Sequence, residues 1–153
     1  MKKLLIFALI SIGLFAGDIK ITEQNATDPV YILPLKKYPK WLTEAELSSG
    51  KKAHFVSVKS MMTVYFHQPY FQRHKLIDGN ITKMYVQDYI SGHKVDAKDA
   101  VYLFGSRIVG PHGDDLIPFE NREKAKIFQL KNGGTKILQF NKLSKGLIRY
   151  LDM

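Results

Sequence analysis

The fold is decided by residues 100–119, AVYLFGSRIVGPHGDDLIPF, in a chain of 153 residues. An apolar, β-prone run begins this stretch at Val101 to Phe104, and a second β-prone run ends it at Leu116 to Phe119. Between them lies the turn Gly110-Pro111-His112-Gly113, whose Gly and Pro residues restrict the backbone. The pattern predicts a two-stranded unit that holds His112 at its tip.

Composition excludes several classes of protein and of site. Apolar residues make up 45% of the chain and aromatic residues 12%, so the chain can bury a core, as one domain or as two very small ones. The chain contains no cysteine. This excludes disulfides, zinc–thiolate sites, iron–sulfur clusters and cysteine nucleophiles.

The N-terminus has the order of a secretory signal peptide. Two lysines precede an apolar run from Leu4 to Phe15, and the small residues Ala16 and Gly17 follow. Because this run is short for a transmembrane span, residues 1–16 are predicted to be a signal peptide and the mature protein to be periplasmic. An uncleaved N-terminal membrane anchor is the alternative. A lipid anchor would need a cysteine where Asp18 stands, so none is predicted.

The mature chain is predicted to be basic. Removal of the two lysines in residues 1–16 leaves 21 basic and 14 acidic side chains, a formal charge of +7. The basic residues are scattered and the protein is predicted to be exported, so nucleic acid is not an expected partner. The charge favours a solvated basic face, or attraction to an acidic partner or an anionic lipid.

Two halves of the chain contain the same order of predicted elements. In the first half, a hairpin that turns at Ser48-Ser49-Gly50-Lys51 precedes a helix capped by Ser57 and a strand that begins at Thr82-Lys83. In the second half, the hairpin described above precedes a helix capped by Asn121 and a strand that begins at Thr135-Lys136. Each half is therefore hairpin, helix and strand, or ββαβ.

The predicted fold class is α+β, with two small related ββαβ lobes in tandem and a C-terminal helix capped by Ser144. A flexible lead-in is predicted over residues 17–27. The first lobe is predicted over residues 28–80 and the second over residues 81–153.

Proline residues set two further expectations. Val30 to Leu35 is a β-prone run that contains Pro34, which predicts an edge strand or a bulge. Pro69 is expected to end the first-half helix, and residues 70–80 are expected to form a polar loop.

Acidic and aromatic residues carry structural predictions. Asp88 and Asp96 are predicted to brace turns through hydrogen bonds to the backbone. Asp114-Asp115 is expected either to orient the His112 imidazole or to make the loop soluble. Trp41 is predicted to lie in the core or between the lobes.

Short motifs carry a family resemblance. In the second half they are YVQDY at 85–89, VDAKDA at 95–100, YLFGS at 102–106, GPHG at 110–113 and LIPF at 116–119. The first half adds YPKW at 38–41 and FVSVKSM at 55–61. From Asp28 to Leu151 the chain resembles the NosL family, the accessory proteins of nitrous oxide reductase. The resemblance implies an exported protein of two ββαβ lobes that binds Cu(I) for maturation of the copper centres of that enzyme.

The chain departs from the family pattern in three places. The family's Cys-x-x-Cys-Gly-Met stretch aligns with Asp28-Pro29-Val30-Tyr31-Ile32-Leu33, which has neither thiol nor thioether. The family's Pro-Met-Gly turn is Pro111-His112-Gly113 here. The cysteine of the family's lipid-anchor signal is also absent.

Any copper site must therefore use histidine, methionine or carboxylate. Cu(I) prefers thiolate and thioether sulfur and accepts imidazole. His112 is the first candidate ligand because it occupies a ligand-like family position, with Met61 and Asp28 as candidate partners. Each candidate has a structural alternative. His112 would lie on a plain exposed turn, Met61 would pack in the core, and Asp28 would mark a decayed site. If Asp28 does bind a metal, its oxygens favour Cu(II) or Zn(II) over Cu(I). Bound copper and no cofactor at all are equally defensible.

No enzymatic activity is predicted. The family's fold is related to that of organomercurial lyases, whose cysteine pair this chain lacks. Ser106 does not lie in a Gly-x-Ser-x-Gly turn. One hypothesis is a periplasmic NosL-like accessory protein with a degenerate copper site, which assists nitrous oxide reductase or another copper-maturation protein. The alternative is a metal-free paralogue that acts as a protein-binding or scaffolding module.

Overall fold

The computed structural model describes Phe15 and residues 17–153, and the rest of the predicted signal peptide lies outside the described residues. Seven strands occur in this part: β1 (Thr43–Leu47), β2 (Lys52–Phe55), β3 (Ile81–Gln87), β4 (Lys94–Asp96), β5 (Val101–Phe104), β6 (Ile117–Phe119) and β7 (Lys136–Gln139). The α-helices are α1 (Val58–Phe66), α2 (Gln68–Arg73), α3 (Arg122–Asn132) and α4 (Lys145–Leu151). None of these helices is long and apolar enough to cross a membrane. The predicted α+β class with a C-terminal helix is confirmed.

The first sheet has four antiparallel strands in the order β2-β1-β3-β4. In its centre, Ala45 of β1 is opposite Ala53 of β2 and Met84 of β3. Met61 of α1 is fully buried in the core cluster that covers this face. The predicted hairpin between β1 and β2 is confirmed. Its turn contains Gly50 at φ 85°, a left-handed backbone that glycine adopts without strain.

The second sheet has three antiparallel strands in the order β6-β5-β7. Successive side chains of β5 point to opposite faces. Leu103 packs with Ile117 and with Phe128 of α3, whereas Tyr102 packs in the cluster that contains residues of α1 and α4. Both faces of the second sheet are therefore covered, and the larger core cluster joins the two lobes.

Three predicted helix N-caps are confirmed. The side chains of Ser57, Asn121 and Ser144 accept hydrogen bonds from backbone N–H groups in the first turns of α1, α3 and α4. The first turn of a helix leaves such groups without an intrahelical partner. The caps therefore set where each helix begins.

Strand pairing connects residues on both sides of the predicted lobe boundary between residues 80 and 81. β3 pairs with β1 in the first sheet, and β4 pairs with β3. β3 is thus the closing strand of the first ββαβ unit, as the repeated order of elements predicts, and β4 adds a fourth strand. The first sheet therefore extends to Asp96.

The polar loop predicted over residues 70–80 begins as a helix instead. α1 ends at Phe66, before Pro69, but α2 starts at Gln68 with Pro69 in its first turn. A proline is tolerated there because the N–H groups of the first turn have no intrahelical acceptor.

The edge strand predicted over Val30 to Leu35 is absent from the described structure. Only an isolated bridge joins Thr27 to Pro34, and the 3-10 helix Leu35–Lys37 follows. Pro34 has no N–H to donate, so it cannot continue a hydrogen-bonded ladder.

Buried contacts around Asp88 and Trp41 join the lobes. Asp88 accepts hydrogen bonds from the N–H groups of Ile90 and Ser91 through Oδ1, and from the N–H of Glu120 in the second lobe through Oδ2. The predicted bracing role of Asp88 is confirmed. Trp41 packs in the core cluster of the second lobe, so its predicted position between the lobes is also confirmed.

Candidate functional site

The loop of residues 28–33 and the turn of residues 110–113 meet through two aromatic rings. Tyr31 and His112 stack with ring centroids 4.1 Å apart and an interplanar angle of 15°. The Tyr31 hydroxyl donates a 2.7 Å hydrogen bond to Oδ1 of Asp152. Burial, and then this hydrogen bond, raise the pKa of Tyr31, so the phenol stays protonated. Two positions at which the family has a cysteine and a methionine are therefore in direct contact.

Asp28 is buried, and the protein itself uses both of its oxygens. Oδ2 accepts hydrogen bonds from the N–H groups of Val30 and Tyr31, at 3.0 and 2.8 Å. Oδ1 accepts hydrogen bonds from the N–H of Val56 and from the hydroxyl of Ser60. Four donors on one carboxylate brace the loop against the start of α1.

Ile32 holds the same loop in a strained backbone conformation. Its φ is 58°, in the left-handed region that a β-branched residue adopts only at a cost. Its side chain is 71% exposed, so packing does little to offset that cost. The position aligns with the glycine of the family's Cys-x-x-Cys-Gly-Met stretch, and glycine adopts this φ freely. The left-handed backbone at Ile32 is consistent with the alignment that the resemblance implies for this position.

The ammonium group of Lys59 ties the turn to the end of α4. Its side chain is fully buried. Nζ lies 2.6 Å from the carbonyl oxygen of His112, 3.2 Å from that of Leu151 and 3.1 Å from Oδ1 of Asp152. It also lies 5.3 Å from the centre of the Tyr31 ring, within cation–π range. Because Asp152 pairs with this ammonium and also accepts from the Tyr31 hydroxyl, Lys59 joins the turn, the loop and the end of α4 at one point.

Asp115 is the second buried carboxylate of the site. Its Oδ1 accepts hydrogen bonds from the N–H groups of Lys59 and Leu116, at 3.0 and 2.8 Å. Its Oδ2 has no hydrogen-bond partner in the described part of the chain. Burial raises the pKa of Asp115 to about 6, against the opposing effect of its hydrogen bonds. The carboxylate bonds to the start of α1, which does not favour the predicted orientation of the His112 ring by Asp115.

The three candidate ligands lie in different environments. His112 is exposed on its turn, Met61 is fully buried in the hydrophobic core, and Asp28 is bonded to four donors. The ring that meets His112 belongs to Tyr31. Over Phe15 and residues 17–153, no group of three or more His, Asp or Glu side chains is placed to hold a metal ion. Copper ligation by His112, Met61 and Asp28 stays a prediction.

Sequence reasoning did not identify Lys59, Asp152 or Ile32 as parts of this site. Lys59 stands in the FVSVKSM motif, and the signal that could have found it is a charged residue among apolar helix positions. Asp152 carries no local signal because its partners lie far away along the chain. Ile32 becomes informative only when its φ is known.

Comparisons with known proteins agree with the observed fold. The family model NosL matches residues 18–148. The chain is similar to the crystal structure of the copper chaperone NosL from Shewanella denitrificans, with a TM-score of 0.68 and 16% identity, over 86% of this chain and 98% of that chain. It is also similar to the solution NMR structure of apo-NosL from Achromobacter cycloclastes, with a TM-score of 0.44 and 20% identity, over 69% and 87% of the two chains. No curated protein sequence matches the chain significantly.

Proposed function

The chain belongs to the NosL family, and from this premise we propose an exported accessory protein of copper-enzyme maturation that acts by contact with another protein. In this proposal the chain does not carry Cu(I) at the family's ligand positions. The observation that carries the proposal is the Tyr31–His112 stack, which joins two of those positions through rings that contain no sulfur. Nitrous oxide reductase, or another protein of copper maturation, is the proposed partner.

The side chains of the site do not fit a Cu(I) ion. Cu(I) prefers soft sulfur ligands, and the only thioether among the three candidate ligands, that of Met61, is enclosed in the core. Tyr31 offers a protonated phenol, and Asp28 has its oxygens bonded to four donors. These features support a role that depends on protein contact.

Export is part of the same proposal. It is supported by the two lysines, the apolar run and the small residues at the N-terminus. We expect the mature protein in a periplasmic extract to begin at Gly17, as measured by intact mass. A chain that keeps Met1 and sediments with membranes would indicate the uncleaved anchor instead.

The first test restores the family's ligands on this backbone. Wild-type protein and the Asp28→Cys/Tyr31→Cys/His112→Met variant are titrated with Cu(I) against a competing chelator, without oxygen. We expect wild type to leave Cu(I) with the chelator and the variant to take up one ion per chain, because Tyr31 and His112 are already in contact and Asp28 lies in the same loop as Tyr31. Tyr31→Cys/His112→Met keeps the hydrogen bonds of Asp28 and controls for misfolding. One ion per chain bound by wild type and lost in His112→Ala would contradict the proposal.

The second test measures accessory function without copper binding. Wild type and His112→Ala are each expressed in cells that contain nitrous oxide reductase but lack its native accessory protein. We expect both to give the purified enzyme the same copper content. A loss of enzyme copper with His112→Ala alone would favour copper transfer through this histidine.

A second candidate function is weak copper binding at the surface of the turn. His112 is exposed, and Met153, which is 97% exposed, lines the same surface depression of about 590 Å³. Imidazole and thioether are both acceptable ligands of Cu(I). If this candidate is right, His112→Ala and Met153→Ala each lower Cu(I) uptake in the titration above. If protein contact alone is right, neither substitution changes it.

A further inference from the structure

The first sheet has an open edge at β2, the outermost strand beside β1. In an antiparallel strand, backbone N–H and C=O groups of successive residues point to alternate sides. The carbonyl of Lys51 accepts a hydrogen bond from β1, whereas the N–H of Val56 donates away from β1 to the loop of residues 28–33. Both bonds fit one pattern: the N–H and C=O groups of Ala53 and Phe55 point toward β1, and those of Lys52 and His54 point away from it.

These outward groups of β2 are unpaired. Within residues 17–153, no backbone or side-chain group bonds to the N–H or C=O of Lys52 or His54 on that side. Two other sheet edges differ. The N–H of Lys94 in β4 is bonded to Asp18, and the carbonyl of Pro118 in β6 accepts a hydrogen bond from Tyr89. β2 therefore offers two donors and two acceptors to an added strand.

A groove of about 470 Å³ lies along this edge. Its walls include parts of the lead-in segment and residues 75–78, and buried apolar side chains contribute to its lining: Leu35, Leu47 and Ile77. Side chains of an extended chain alternate between two faces. A strand laid beside β2 would thus turn every second side chain toward these apolar residues.

Two basic side chains of β2 flank its open edge, those of Lys52 and His54. Lys52 and His54 project on the same face as Glu44 and share its buried carboxylate with Lys94. Glu46 lies directly opposite Lys52 on this face, so carboxylates as well as ammonium groups occupy it. The carboxylates of Glu44 and Glu46 belong to β1, whereas Lys52 and His54 belong to β2, at the open edge. The remaining charges of the groove wall balance in number: Glu23, Lys51, Lys75 and Asp78. Lys52 and His54 are therefore the side chains that the alternate side chains of an added strand would lie beside.

We propose that an extended segment of a partner protein, in which acidic and apolar side chains alternate, adds to the first sheet as a fifth strand along β2. Backbone hydrogen bonds to Lys52 and His54 hold the segment. Its acidic side chains meet the ammonium and imidazole groups, and its apolar side chains enter the groove. The inference rests on the proposed function, since an accessory protein that acts by contact needs a surface for its partner.

The probe is a short fluorescein-labelled peptide that alternates glutamate and valine, titrated with the purified mature protein and followed by fluorescence anisotropy. We expect saturable binding that weakens as salt is added, because charge attraction contributes to it. A matched peptide with lysine in place of glutamate is expected not to bind. A matched peptide in which every backbone amide is N-methylated, and which therefore cannot donate to a strand ladder in any register, is also expected not to bind.

Two substitutions at one position separate strand addition from charge attraction. Lys52→Pro removes the outward N–H but no bond to β1, so the fold is expected to survive, as checked by circular dichroism. Lys52→Gln removes the charge and keeps the N–H. We expect Lys52→Pro to weaken binding by about tenfold more than Lys52→Gln does.

Amide hydrogen exchange gives an independent readout on the wild-type protein. Peptide addition is expected to slow exchange of the N–H groups of Lys52 and His54. The N–H groups of Ala53 and Phe55 face β1, so their exchange is expected to change little. Protection spread equally over all four amides would contradict the proposed geometry.

Two outcomes overturn the proposal. Equal loss of binding in Lys52→Pro and Lys52→Gln would show charge attraction without strand addition. No binding of the acidic peptide would show that Lys52 instead protects the open edge of β2 from pairing with another strand. Neither outcome alters the Cu(I) titration, so failure of this inference is distinguishable from failure of the proposed function.

Discussion

The loop of residues 28–33 and the turn of residues 110–113 meet where Tyr31 stacks on His112. A buried aspartate accepts backbone hydrogen bonds beside each segment: Asp28 in the loop, and Asp115 just after the turn. Asp28 bonds four donors with its two oxygens. Asp115 bonds two backbone N–H groups with one oxygen, and its other oxygen has no partner in the part of the chain that the structure describes. The difference teaches that two buried carboxylates can hold unequal numbers of backbone and side-chain donors, and the number of donors decides how firmly each one braces its segment.

The different numbers of donors predict that Asp28 contributes more than Asp115 to the free energy of unfolding. We expect Asp28→Ala to lower the free energy of unfolding by about 4 kcal/mol, because three N–H groups and a hydroxyl lose their acceptor in a buried site. Asp115→Ala is expected to cost about 2 kcal/mol, since two N–H groups lose an acceptor while the burial of a carboxylate is relieved. Urea unfolding measures both. Equal losses would show that the number of donors is not decisive.

The connection between the two loops can be cut at Lys59. Lys59→Met is expected to lower the free energy of unfolding by about 3 kcal/mol, because the carbonyl oxygens of His112 and Leu151 and the carboxylate of Asp152 lose a buried ammonium. Amide exchange in the turn and in α4 is expected to become faster. Lys145→Met, at an exposed position of α4, is the control and is expected to change stability by less than about 0.5 kcal/mol. Equal effects of the two substitutions would exclude a linking role for Lys59.

The protonation of Asp115 makes its contribution to the free energy of unfolding depend on pH. Its folded-state pKa of about 6 exceeds the ordinary value of 3.8, so the folded chain binds more protons than the unfolded chain between these values. Its contribution to stability is therefore complete below about pH 4 and is lost as pH rises through about 6, a change of about 3 kcal/mol. Asp115→Asn is expected to remove this loss, as measured by urea unfolding from pH 4 to pH 7.

Two other carboxylates also make stability depend on pH, and they are the same in wild type and in the Asp115→Asn variant. The pKa values of Glu44 and Glu120 are lowered by their hydrogen bonds, chiefly to Lys94 and Lys124, so these groups add stability as pH rises through the acidic range. Their effect is common to wild type and variant and cancels in the difference between the two. A difference that does not change with pH would place the pKa of Asp115 outside this range.

Local rules explain which parts of the fold and site could be predicted. The caps at Ser57 and Asn121 and the turn that exposes His112 depend on neighbouring residues, and sequence predicts them. The stack of Tyr31 on His112 and the hydrogen bonds of Lys59 join segments that are far apart along the chain. No local sequence pattern predicts them. Proline shows the limit of local rules, because the same residue type begins a helix at one position and prevents a strand at another.

The smallest expected effect concerns the backbone of the loop of residues 28–33. Ile32→Gly is expected to raise the free energy of unfolding by about 1 kcal/mol. The cost of about 1–2 kcal/mol for a left-handed β-branched residue is relieved, and it exceeds the added entropy of glycine in the unfolded chain. Thermal unfolding followed by circular dichroism measures the gain.

Val30→Gly is the matched control in the same loop. Val30 is not among the described residues with positive φ, and its side chain packs against the core, so glycine there is expected to destabilise the protein. If Ile32→Gly also destabilises it, the exposed isoleucine contributes more than its backbone costs. The left-handed turn would then owe its stability to the Ile32 side chain, and its match to the family's glycine would no longer explain why the loop keeps this shape beside Tyr31.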